Sequence, residues 1–127
     1  MSGNLRTLFL TFAAIAIAWG AGNIREAITN YISSVNNLTR LLTAVKDVDT
    51  AKAFAPAITD GIARVNTLKT QLRSRPPAEA DPEDNRVVRE KTPEMQEASV
   101  NLTQQVRRIA GLPSTYKELQ PILSKLD

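Results

Sequence analysis

The stretch that decides the fold is IREAITNYISSVNNLTRLLTAV, residues 24–45. Within it Ile24, Ile28, Tyr31, Val35, Leu38, Leu42 and Val45 recur at alternating steps of four and three. Those steps put all seven side chains on one stripe of a helix. Ala27, Ile32 and Leu41 widen the apolar face. A seam of this length suits packing inside one chain. It also suits a short coiled coil, so homo-oligomerisation through it is open. The other face is unusual, because no charge occurs from Ala27 to Thr39. Thr29, Ser33, Asn37 and Arg40 line up there at helical spacing, with Ser34 and Asn36 beside them. Exposed helix faces ordinarily carry Lys and Glu for solubility. The plain reading is a solvated face, or one covered by another helix. The functional reading is a partner-binding stripe, and those four residues are its candidates.

Toward the N-terminus, the 18 residues from Thr7 to Ile24 carry no charge. Leu8, Phe9, Leu10, Phe12, Ile15, Ile17 and Trp19 supply the apolar bulk of this run. Arg6 precedes it, and small residues follow Trp19, as in a secretory signal peptide. The run is also close to the shortest length that spans a bilayer as a helix. Residues 1–22 therefore read as a signal peptide or a membrane anchor, with Trp19 suited to the interface in the second case. Either reading places the remainder in a bacterial cell envelope, in the periplasm or on the inner membrane facing outward.

Toward the C-terminus, Asp47-Val-Asp49-Thr50-Ala51 interrupts the helix and offers a new N-cap at Asp47 or Asp49. Ala51, Phe54, Ile58, Ile62, Val65, Leu68 and Leu72 then form a second stripe. Pro56 lies inside it and should bend the helix, and Gly61 weakens the same stretch by about 1 kcal/mol. The short connection makes helices one and two antiparallel neighbours. A Pro-rich, acidic linker covers 74–85, where Asp81-Pro82-Glu83-Asp84 reads as a helix start. Thr92-Pro93-Glu94 is a second start signal, so the third helix begins near 82 or at Pro93. Its stripe is Met95, Ala98, Leu102, Val106 and Ile109. Gly111-Leu112-Pro113 stops it. Ser114 is the expected cap of a last short helix carrying Leu112, Tyr116, Leu119, Leu123 and Leu126, which Pro121 shortens or kinks.

Composition removes much chemistry. The chain has 127 residues, no Cys and no His. Ser-His-Asp and Cys-His pairs, thiolate zinc sites and His ligation of metal or haem are all out. Packing alone must hold a domain of about 100 residues without disulfides. Net charge is +3, from 16 basic and 13 acidic residues. Arg64, Lys69, Arg73 and Arg75 lie toward the end of the second helix, Arg107 and Arg108 at the end of the third, and Asp47, Asp49, Glu94 and Glu97 near helix starts. The helix dipole favours this order, so it needs no nucleic acid. Only six Phe, Tyr or Trp residues exist, and no stacking aromatics interleave the basic groups. Glu79, Asp81, Glu83 and Asp84 lack calcium-loop spacing. Asn37-Leu-Thr39 and Asn101-Leu-Thr103 match the glycan acceptor triplet, but both lie within expected helices. The reading assigns no catalytic, cofactor or metal residues and expects no enzyme, no cofactor and no nucleic-acid partner.

The stretch Asp47-Val-Asp-Thr50-Ala51-Lys-Ala-Phe-Ala-Pro56-Ala-Ile58 resembles a pattern in small exported helical proteins of environmental bacteria. The shared form is D-x-x-[ST]-A-x4-P behind a leader and an apolar helix. Glu94 to Arg108 is compatible with their following helix. The resemblance covers about half the chain and implies a helical bundle in the envelope. Those proteins have no assigned activity, and many begin with a lipobox Cys that this chain lacks.

The expected architecture is all-α: a small antiparallel bundle of three main helices and a short C-terminal one over residues 23–127, behind an N-terminal hydrophobic helix. The expected function is a non-enzymatic, envelope-associated binding or scaffolding module acting by protein–protein contacts, its partner unnamed. The alternative is an accessory subunit of a larger membrane complex, anchored by the N-terminal segment.

Overall fold

The structure, a computed structural model, describes residues 24–74 and 82–126. Four helices follow in order: α1 (Ile24–Thr43), α2 (Val48–Arg73), α3 (Pro82–Ala110) and α4 (Pro113–Leu123). The chain is all-α, and no strand occurs among the described residues. The N-terminal hydrophobic helix, with Leu8, Phe9, Leu10, Phe12, Ile15, Ile17 and Trp19, lies outside them. Among the described residues no helix is long and apolar enough to cross a membrane.

The seam of α1 is the floor of the core. Val35, Leu38, Leu42 and Val45 are fully buried, Ile24 and Ile28 nearly so, and Tyr31 is half-buried. The seam is thus buried by packing within one chain. Ser34 meets Arg64, and Leu38 meets Gly61, so residue numbers fall along α2 as they rise along α1. The two helices are antiparallel. Arg25 pairs with Glu90 at 2.7 Å, and Arg108 reaches Leu42 and Val45, so α3 runs parallel to α1. The helix pairs in substantial contact are α1 with α2, α1 with α3, α2 with α4 and α3 with α4. The bundle is thus a square, with α1 diagonal to α4 and α2 diagonal to α3. Returning along α2 and α3, α4 ends level with Asn66, whose side-chain amide donates to the Lys125 carbonyl at 2.8 Å.

Local chemistry sets the helix ends. Of the two cap candidates Asp47 is the one used, in a reciprocal box. The Thr50 N–H donates to Asp47 Oδ1 at 2.8 Å, and the Asp47 N–H donates to Thr50 Oγ1 at 3.0 Å. The third helix starts at Pro82 and runs through Pro93. Pro56, Pro93 and Pro121 all lie inside continuous helices with their rings exposed. On that side water can serve the carbonyl that proline leaves unbonded. Ser114 is not the cap of α4. Leu112 occupies that position in extended conformation, with no side-chain bond, and Pro113 at the first turn supplies the helical φ instead. At the end of α3 the Leu112 N–H closes onto the Ile109 carbonyl at 2.9 Å, a tight terminal turn. Arg108 crosses from α3 to the end of α1, where its Nη2 donates to the Leu42 and Val45 carbonyls at 2.8 Å each. It adds a charged donor to the Leu42 carbonyl, which also accepts from the Val45 N–H at 3.1 Å, and it serves the Val45 carbonyl just beyond the helix end.

Gly61 lets α2 approach α1. A Cβ placed there would stand 3.3 Å from Leu38 Cδ1, closer than side chains ordinarily pack. Alanine should favour the helix by about 1 kcal/mol, but here it presses on a fully buried Leu. We expect Gly61→Ala to lose most of that gain in the parent chain and to recover it when Leu38 is Ala. Leu38→Ala alone should cost about 2–5 kcal/mol. A double-mutant cycle by urea denaturation measures the coupling, and simple additivity would contradict the close approach.

Hydrogen bonds from the Thr50 backbone, then from its hydroxyl, hold the Asp47 carboxyl below its ordinary value of 3.8. A depressed folded value stabilises the fold above the unfolded value, and that contribution is lost as pH falls through the folded one. Asp47→Ala should therefore lower the thermal midpoint at pH 7, with the gap from the parent narrowing below pH 3.8. Parallel melting curves from pH 7 to pH 2.5 check this.

Candidate functional site

Two surfaces stand out, one on each side of α1. The first is its outward face. Thr29, Ser33, Asn37 and Arg40 are all exposed, and the structure brings them onto one face as the spacing predicts. Glu26, Asn30 and Asn36 are exposed on the same side. Because α1 occupies a corner of the square, α2 and α3 flank this face without covering it. Ser34 is different: it is buried, and its hydroxyl accepts from Arg64 Nε at 3.1 Å. It belongs to the α1–α2 contact. Thr39 is half-buried, and its hydroxyl donates to the Val35 carbonyl of its own helix at 3.0 Å.

Charge is confined to the ends of the outward face. Among the described residues neither Glu26 nor Arg40 forms an ion pair. Arg25, at the edge, is tied sideways to Glu90 of α3. Between Glu26 and Arg40 the exposed groups are hydroxyls and amides, each both a donor and an acceptor. Such a face can hydrogen-bond a partner of similar chemistry without stripping water from a buried charge.

The second surface is a groove of about 380 Å³ on the inner side of α1, beyond the end of α4. Tyr31 and Val35 form its floor, Val65 and Leu102 its walls, and Val106 and Leu126 its lower edge. Lys69 and Arg107 stand on opposite walls. It exists because α4 has 11 residues where α1 has 20. Sequence reasoning placed Lys69 and Arg107 at helix C-terminal ends and had no signal that they share a groove. Val35 on the floor and Val65 on the wall are only 1% and 2% exposed, so little apolar surface is offered there.

Among the described residues, no three or more acidic side chains gather as a metal site. Among the described residues, Val100 on α3 is the exposed large apolar residue, and a single one makes no patch. No family model, curated protein or solved structure matches the chain.

Proposed function

We propose that the chain is a non-enzymatic docking module of the bacterial cell envelope that binds a protein partner on the outward face of α1. One observation carries the reading: on a corner helix with both flanks packed, the exposed face from Thr29 to Asn37 holds no charge. The centres of protein interfaces are depleted of charged residues, and their rims are polar. Glu26 and Arg40 occupy the rim positions of this face. The helices packed behind α1 keep its inner side buried and this face outward.

The uncharged run between Arg6 and Arg25 supports the envelope as the location, because it leads straight into α1. Released as a signal, it leaves a free module. Retained, it makes the chain an anchored accessory subunit of a larger membrane complex, and the intact mass of membrane and soluble fractions distinguishes the two.

A photo-crosslinking residue at Thr29 should capture a discrete protein product in cells expressing the chain. Ser33→Glu with Asn37→Glu should abolish that product and shift folding stability by no more than about 0.5 kcal/mol, since both positions are exposed. Capture by the double variant at the parent level would sink the reading.

A further inference from the structure

The outward face of α1 is complementary to itself. Two copies of a helix laid antiparallel face each other in pairs about a twofold axis. With Ser33 on that axis, Glu26 of one copy faces Arg40 of the other, Thr29 faces Asn37, and Asn30 faces Asn36. Every one of these residues is exposed. The acid and the base at the two ends meet twice, once on each side of the axis. Among the described residues neither Glu26 nor Arg40 already has an ionic partner. The centre is Ser33, small enough for close approach, flanked by Thr and Asn side chains that can both donate and accept. The parallel arrangement would set Glu26 against Glu26 and Arg40 against Arg40, which like-charge repulsion disfavours.

We infer that the partner of this face is a second copy of the chain, docked antiparallel through α1 with Ser33 on the twofold axis. The inference rests on the reading that this face is the docking surface. It also bears on the two forms of that reading. The axial length of α1, 20 residues, separates the two Ile24 ends by about 30 Å. A released module accommodates that separation. Two copies standing upright in one membrane do not, because their N-termini would point opposite ways. One helix face is smaller than the roughly 800 Å² per partner of a stable interface, so the dimer is a weak one.

The chain has no Cys, so single-Cys variants of the full chain report directly. Facing residues on helices 8–10 Å apart come within disulfide reach. Under mild copper–phenanthroline oxidation in the cell fraction that holds the protein, Ser33→Cys should give a covalent dimer. Glu26→Cys alone and Arg40→Cys alone should not, while the two expressed together should. Adding Glu26→Arg to Ser33→Cys should cut the dimer yield several-fold, and adding Arg40→Glu as well should restore it. A dimer from Glu26→Cys alone would mean a parallel pair and overturn the antiparallel assignment. No dimer from Ser33→Cys, with the parent helical content by circular dichroism, would overturn self-pairing altogether. If the Thr29 photo-crosslink then still captures a different protein, and Ser33→Glu with Asn37→Glu abolishes it, self-pairing fails while the docking reading stands.

Discussion

The bundle depends on how closely α1 is held by the helices on its two flanks. Its seam supplies Val35, Leu38 and Leu42, each no more than 1% exposed, and among the described residues no other helix contributes as many. The approach of α2 is set by a glycine, because any Cβ at residue 61 crowds Leu38. The approach of α3 is set at both ends of α1, by the Arg25–Glu90 pair near its start and by Arg108 on its last carbonyls. The exposed ion pair contributes little in water. Arg108 does more, because its charged guanidinium donates to two part-buried carbonyls at the end of α1 and the start of the following turn. With α2 and α3 so placed, α4 is, among the described residues, the remaining element that can cover the diagonal, and it covers only part of it.

That geometry gives α1 two unlike sides. The inner side is consumed by the core. The outer side is held at a corner, in a fixed rotation, by everything packed behind it. A partner meeting this face loses little of the face's own backbone freedom, because the core has already ordered it. The neutral hydroxyls and amides along it bind through direction more than through strength. Recognition here would come from register, meaning which donor stands opposite which acceptor.

Much of this was legible in the letters. The four-three spacing found α1 and most of the buried stripe of α2. Asp47 and Thr50 marked a helix start because their side chains can satisfy each other's backbone. The misreadings have physical reasons. Ser114 looked like a cap by residue type, but Pro113 already fixes the first helical φ and moves the boundary to Leu112. Pro93 looked like a possible helix start, yet α3 already begins at Pro82 and runs through it, with its ring exposed to water. The stripe Thr29, Ser33, Asn37 and Arg40 was visible as a pattern, yet its exposure depended on where α2 and α3 would sit. Ser34 shows the difference, since it neighbours Ser33 in sequence and is buried against Arg64. The groove was invisible because it arises from the unequal lengths of α4 and α1, brought together only by the topology.

That length difference also divides the molecule by mechanical firmness. Near the α1–α2 turn a cross-section meets four helices; near Ile24 it meets three. The core residues of α1 are also less completely covered toward that end, Ile24 being 7% exposed where Leu38 and Leu42 are 0%, and local opening becomes cheaper in the same direction. Amide hydrogens of α1 should exchange slowly at Leu38 and Leu42 and progressively faster toward Ile28. The loosest end of the domain is therefore the one joined to the uncharged N-terminal run. A pull or a push transmitted through that run would first be absorbed as fraying of the three-helix end, leaving the four-helix end intact.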